Sequence, residues 1–294
     1  MDKPRRTVGI VGASGFIGGE VASAASASGW RVVGFSRRER RAGGAVDEWR
    51  RWQDVPDLSG LDAVVNLAGE PVDQRWTAAV RERLRESRVG VTRALLRGME
   101  GHRPAVLVNG SAVGIYGDRG EEPLNEKAEP GEGFLAELCR EWEAAADEAP
   151  EGVRVAKIRT GIVLGSGGAA WGKMRKVFKL GLGGRFGDGR QWMPWIHEAD
   201  LAGGIVHVLD CGELSGAVNG AAPESERNAD FTRKLAARLK RPAFFHAPEW
   251  ALRVGLGEFS GALLASQRVM PEALLQSGYR FRFPRLEDAL EELL

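Results

Sequence analysis

The chain has 294 residues, 43% of them hydrophobic and 28% charged, a composition ordinary for a soluble globular protein and unlike a disordered one. Its 41 Lys and Arg against 40 Asp and Glu argue against a nucleic-acid coat or a polybasic membrane anchor, while leaving room for a local basic pocket. At about 150 residues per domain the length allows one large domain or two modest ones.

Thr7–Val11 reads as a short buried strand and Phe16–Ala27 as a helix of small residues. Arg31–Phe35 is the next strand. Arg37–Gln53 is polar, bears tryptophan and lacks a clear period, so it is expected to be loop with short structure. Leu61–Leu67 is a continuous apolar strand, and Thr77–Met99 has helical spacing at Val80, Leu84, Val91, Leu95 and Met99. Pro104–Asn109 is a strand, Phe134–Ala146 a helix and Val153–Arg159 a further strand. This alternation predicts an α/β fold, a Rossmann-type doubly wound parallel sheet.

After residue 165 the texture changes. Gly165–Gly168 and Gly181–Gly189 are glycine-rich, with Trp171, Trp192 and Trp195 interleaved, which suits a substrate cleft. The expected organisation is a Rossmann domain over 1–165, mixed segments with cleft and sheet completion over 166–246, and a smaller C-terminal lobe over 247–294. Cys139 and Cys211 are too few for a disulfide framework and read as reduced thiols. His102, His197, His207 and His246 are scattered without zinc spacing, so no metal is expected. The N-terminal stretch lacks an apolar signal region, and no run of about 18 apolar residues suggests a membrane span. A cytoplasmic monomer or homodimer is the expectation.

Gly12, Gly15 and Gly18 lie in a strand–turn–helix context, which a dinucleotide fingerprint requires. The first glycine turns the chain sharply, the second admits pyrophosphate to the backbone, and the third lets helix and sheet approach. Ser14, Phe16 and Ile17 complete the candidate cofactor turn, where free helix N–H groups favour phosphate. At the end of the second strand stand Ser36, Arg37 and Arg38, with no acid to hold a ribose 2′-hydroxyl. Arginine there suits a 2′-phosphate, so the expected cofactor is NADP(H).

The segments VVNLAGEPV, ESRVGVTRALL, GSAVGIYGD, GFLAELCREWEAAA, RTGIVLGSGGAAWGKM, GLGGRFGDGRQWMPWIHEADLAG and SQRVMPEALLQSGYRF, in this order, resemble the extended short-chain dehydrogenase/reductase superfamily. More closely, the chain resembles its atypical sugar-nucleotide epimerase-like branch, whose members carry a C-terminal domain of unknown function. The resemblance implies that Leu67, Ala68 and Gly69 line the adenine ribose, with Glu70 at the same edge. Asn66 either joins them or only stabilises the sheet end. It further implies that Arg88 reaches the cofactor and that Thr160, Gly161 and Val163 contact the nicotinamide end.

Active superfamily members pair a tyrosine with a lysine four residues on, the phenol moving the proton. Here neither register of Phe134-Leu135-Ala136-Glu137-Leu138-Cys139 supplies that pair. Ser111 is the candidate serine at the strand end. Tyr116 is the candidate substitute acid, or else a packing aromatic. Arg185 and Arg190 could meet phosphate or carboxylate of a substrate, and Trp192 and Trp195 could stack on a ring or pack between lobes. His197 and Asp200 resemble a structural pair, Asp200 near a helix start where a carboxylate caps. Two functions are expected from this: an NADP(H)-dependent oxidoreductase or nucleotide-sugar epimerase-like protein with a small polar substrate, or a non-catalytic NADP(H)-responsive binding protein.

Overall fold

The computed structural model describes residues 5–294. Its centre is a 7-stranded sheet in which every pairing is parallel. In chain order the strands are β1 (Thr7–Val11), β2 (Arg31–Ser36), β3 (Glu48–Arg51), β4 (Ala63–Asn66), β5 (Val106–Ala112), β6 (Arg154–Thr160) and β7 (Gly216–Gly220). Their spatial order is β7-β6-β5-β4-β1-β2-β3. Order reverses between β1 and β4, and the crevice of such a sheet opens at the carboxyl ends of those strands. Helix α1 (Phe16–Ala27) follows β1, and α2 (Ala78–Arg85) and α3 (Val91–Met99) lie between β4 and β5. Helix α4 (Phe134–Asp147) precedes β6, and α5 (Ala169–Lys179) and α6 (Glu198–Asp210) precede β7. Covered on both faces, β1 is buried at every position, as its unbroken apolar run requires.

Two elements differ from the sequence expectation. The polar segment before Gln53 contains β3, an edge strand that pairs Val33 with Glu48 through Ser36 with Arg51. Its first three side chains are half-buried and the fourth exposed, so no alternation marks it as a strand. Trp49 lies directly on Gly34, where an added methyl would be 2.6 Å from the indole ring, and Glu48 joins Arg31 at 2.7 Å and Arg50 at 2.8 Å. The helix expected over Thr77–Met99 is continuous but contains a π-helical turn at Glu86–Gly90, a widening frequently seen at functional sites.

Residues from Leu164 onward form a separate apolar cluster. Trp171 and Trp195, expected in mobile loops around a cleft, are each 1% exposed and pack with Leu164, Phe178, Phe231 and Leu286. The reason is local pairing: Trp195–His197 runs parallel to Ile162–Leu164 and takes Trp195 inward. Beyond β7 come α7 (Asn228–Leu239), α8 (Glu249–Leu256), α9 (Phe259–Leu264), α10 (Glu272–Gln276) and α11 (Leu286–Leu293). Asp200 is fully buried and does more than cap. It accepts from the Arg282 amide at 2.7 Å, the Phe283 amide at 2.8 Å and the Tyr279 hydroxyl at 3.2 Å. His197 is itself the cap of α6, its Nδ1 accepting from the Ala199 amide at 3.1 Å.

Among the described residues, no helix is long and apolar enough to cross a membrane, and no group of His, Cys, Asp and Glu is placed to hold a metal ion. Cys139 is buried, Cys211 is half-buried, and both are free thiols.

Candidate cofactor and substrate site

The glycine turn closes on itself at the carboxyl end of β1. Gly12 has φ +90°, in the region that favours glycine, and the Gly15 amide donates to its carbonyl at 2.8 Å. A methyl on Gly18 would overlap that same carbonyl oxygen, so α1 sits against the turn only because residue 18 has no side chain. Gly15 caps α1 without a side-chain hydrogen bond, and the first turn carries no acid. The amides of Phe16, Ile17 and Gly18 thus present unpaired donors and the positive end of the helix dipole to an anion. Ser14 is exposed beside them. The Phe16 ring lies under Gly165–Gly168, where added methyls would stand 2.6 to 2.9 Å from it. Gly18→Ala is therefore expected to cost about 1–3 kcal/mol by overpacking, with a fall of roughly 2–4 °C in Tm per kcal/mol. Thermal melts with and without NADPH check this, and an unchanged melting point would mean that the helix shifts freely.

At the end of β2 the Ser36 hydroxyl accepts from the Arg38 amide at 3.2 Å and from Arg40 Nε at 3.3 Å. Arg40 also stacks over Trp49, with 5.2 Å from its guanidinium carbon to the ring centroid. Arg37 and Arg38 are exposed. The sequence reading missed Arg40; its position four residues after Ser36 was the available signal.

Asn66, at the end of β4, is fully buried and bridges the sheet. Its Nδ2 donates to Asn109 Oδ1 at 2.8 Å and Thr92 Oγ1 at 3.1 Å, and its Oδ1 accepts from the Ala68 amide at 3.3 Å. This fixes the course of Leu67 and Ala68 toward the exposed Gly69. Arg88, on the π-helical turn, brings its guanidinium to Gly69. It donates to the Glu70 carbonyl at 3.0 Å, the Leu84 carbonyl at 3.3 Å and the Ser87 hydroxyl at 3.3 Å, and lies over Trp142. None of these partners is a carboxylate, and burial pulls its pKa below the usual arginine value. The Glu70 carboxylate instead accepts from Gln74 at 3.2 Å. Beyond β6, the Gly161 amide donates to the Gly220 carbonyl at 2.9 Å, Val163 pairs with Ile196, and Thr160 closes the same edge.

The two candidate catalytic side chains are withdrawn from the cleft. Ser111 is 4% exposed and donates to Glu143 Oε1 at 2.6 Å. Glu143 also holds Arg159 in a fork, with Nε to Oε1 at 2.8 Å and Nη2 to Oε2 at 2.9 Å. Burial alone would depress the Arg159 guanidinium, but its bonds to Glu143 raise it. Tyr116 is fully buried; its hydroxyl donates to Asn219 Oδ1 at 2.7 Å and accepts from Arg159 Nη1 at 2.9 Å. Burial pushes that phenol above its ordinary value, with Arg159 opposing. On α4, Leu135 faces the end of β5, a methyl on Gly114 being 3.3 Å from its Cβ. One turn on is the buried Cys139, whose thiol burial pushes up to about 11. In that register the pair of positions offers an alkyl group and an un-ionised thiol, and in the other, Phe134 with Leu138, a phenyl and an alkyl group.

The four candidate substrate residues separate. Trp192 is held between Arg227, at 4.4 Å, and Arg268, at 5.2 Å, and its Nε1 donates to Glu121 at 3.0 Å. Arg190 is exposed beside it, its carbonyl accepting from Arg227. Trp195 is a core residue whose Nε1 donates to the Glu224 carbonyl at 3.0 Å, so it offers no face to a substrate. Arg185 faces a different groove, beside α7. Three contacts tie the two lobes together near the site: Lys173 to Asp73 at 2.6 Å, Trp76 to Phe259 at 5.8 Å between ring centroids, and Arg81 to Glu258.

A doubly wound parallel sheet with a glycine turn after its first strand defines the Rossmann-type class. The chain belongs to the NAD dependent epimerase/dehydratase family, whose model matches residues 8–219, and a domain of unknown function, DUF1731, matches residues 247–293. It is 34% identical over 302 residues to the epimerase family protein SDR39U1 homolog, chloroplastic, of Arabidopsis thaliana, covering 98% of this chain and 86% of that protein. The structure of human epimerase family protein SDR39U1 (isoform 2) with NADPH superposes with a TM-score of 0.91 at 34% identity, covering 98% of each chain. A nucleoside-diphosphate sugar epimerase from Corynebacterium glutamicum gives a TM-score of 0.80 at 33% identity, covering 98% of this chain and 57% of that one.

Proposed function

We propose that this protein binds NADP(H) at the carboxyl edge of the sheet and serves cytoplasmic redox or epimerase-like chemistry on a small polar substrate, with nucleotide-sugars the first class to test. The observation that carries the reading is the uncapped start of α1 behind Gly12, Gly15 and Gly18. Ser36, Arg37, Arg38 and Arg40 extend it to where a 2′-phosphate would arrive, and the human relative's structure with NADPH supports the choice of cofactor. The Corynebacterium relative's description supports the substrate class.

The bound nicotinamide would supply or accept the hydride. This chain's residues bind and orient: the α1 amides hold pyrophosphate, Leu67 to Gly69 border the ribose, and the Arg88 cation stands ready for negative charge. In either register of α4, Phe134 with Leu138 or Leu135 with Cys139, the chain supplies neither a phenol nor an ammonium. The relay worth about 100- to 10,000-fold is thus missing, and any turnover is slow or takes its proton from the substrate side.

The experiment is NADPH oxidation and NADP⁺ reduction with a panel of nucleotide-sugars and simple carbonyls, repeated with Tyr116→Phe. Turnover that survives in Tyr116→Phe supports the reading, and loss of turnover in a stably folded Tyr116→Phe would return the phenol to catalysis. Tight NADPH binding with no turnover anywhere would favour the second reading, a non-catalytic NADP(H)-responsive protein, for which Leu135 and Cys139 are the specific observation.

A further inference from the structure

We propose that the groove between α7 and the strand Phe245–Ala247 is a second ligand site, separate from the glycine turn, for a phosphorylated molecule carrying a flat ring, a nucleotide in chemical class. The groove measures about 580 Å³, within the usual range for small-molecule sites. Its volume exists because α7 presents Ala229, Ala236 and Ala237 to it where longer side chains would fill it. All of its lining lies between residues 185 and 246, whereas every residue of the proposed cofactor cradle precedes residue 164.

The lining chemistry is one-sided. Arg185, Arg233 and Arg241 contribute guanidinium groups and no Asp or Glu lines the groove, in a chain whose charges otherwise nearly balance. Among the described residues only Arg233 of the three has an ion-pair partner, Asp230 at 3.1 Å, and an exposed pair of that kind holds its partner weakly. Guanidinium forks match phosphate oxygens in geometry and charge. Beside them Phe244 is 90% exposed and Phe245 57% exposed. A phenyl ring left in water gains when a flat ring covers it, and stacking of a base on an aromatic side chain is tolerant of base identity. Arg185, on the strand paired with Phe245–Ala247, and Arg241, just before it, stand beside the aromatic residues, with Arg233 across from them on α7, so the groove offers both cations and ring surface to a molecule with a phosphate end and a ring end.

The test uses the full chain saturated with NADPH and titrated calorimetrically with ADP, inorganic pyrophosphate and adenosine. ADP is expected to bind in the presence of NADPH, and more tightly than either fragment. Arg241→Glu should weaken it at least tenfold and Phe245→Ala several-fold, with melting temperatures unchanged because both side chains are exposed. ADP binding that NADPH abolishes, that Arg241→Glu leaves intact, or that pyrophosphate equals would each overturn the proposal. Because the variants lie outside the glycine turn, a protein that bound no NADPH yet bound ADP through Arg241 would refute the cofactor reading and keep this one.

Discussion

Replacing Arg37 and Arg38 together by glutamate lowers NADPH affinity roughly 10- to 100-fold and leaves NADH affinity within a few-fold. The range follows from about 1.5–3 kcal/mol for hydrogen bonds to charged groups, reduced because both arginines are exposed and screened. The segment Ser36–Arg41 has one acid, Glu39, against four arginines, so the substitution reverses the sign of the field at the strand end. Arg40, anchored on Ser36 and Trp49, is left in place by the substitution and keeps a cation at the strand end, which is why the expected loss is bounded. Fluorescence titration with both cofactors is the check. An equal loss for NADPH and NADH would mean damage to the glycine turn instead, and no loss would remove the strand end from the site.

Glu143→Ala destabilises the fold by about 3–5 kcal/mol, the largest effect expected of any single change here. The carboxylate is 6% exposed and satisfies both Ser111 and the 7% exposed Arg159. Removing it leaves a buried guanidinium with only Tyr116 and the Glu126 carbonyl as partners. At roughly 2–4 °C per kcal/mol, the melting point should fall by about 6–20 °C. The double variant Glu143→Leu with Arg159→Met should recover much of this, because an apolar pair of similar volume avoids desolvating two charges. Chemical denaturation of the single and double variants measures the coupling. A loss below about 1 kcal/mol in Glu143→Ala would show that water reaches Arg159.

The sheet was legible at β1, β2, β4, β5 and β6, where burial demands apolar runs such as Val8 to Val11, but β7, Gly-Ala-Val-Asn-Gly, has too short an apolar run and was expected only as sheet completion within 166–246. Strand β3 was not legible, because Glu-Trp-Arg-Arg is an edge whose support comes from Gly34 and Arg31 on the neighbouring strand. The glycine turn was legible because its conformation restricts residue type locally. Ser111 and Tyr116 were placed at the right strand end, but their burial depends on Glu143, Arg159 and Asn219, which come from α4, β6 and β7. Trp195 could not be decided from sequence for the same reason: a glycine-rich neighbourhood says nothing about a partner strand at Ile162–Leu164, which settles it as a packing residue.

The buried carboxylate of Asp200 sits on α6, a helix packed against α1, yet its hydrogen-bond donors are Tyr279, Arg282 and Phe283. During synthesis the first helix leaves the ribosome long before those donors exist, and domains otherwise fold from the N-terminal side as they emerge. Until those residues are free of the exit tunnel, the Asp200 carboxylate has only water or an undocked α6 to satisfy it. The docking of α6 against α1 is thus coupled to a segment about 80 residues further along the chain, which ties the order of assembly of the sheet's cover to the arrival of Tyr279–Phe283.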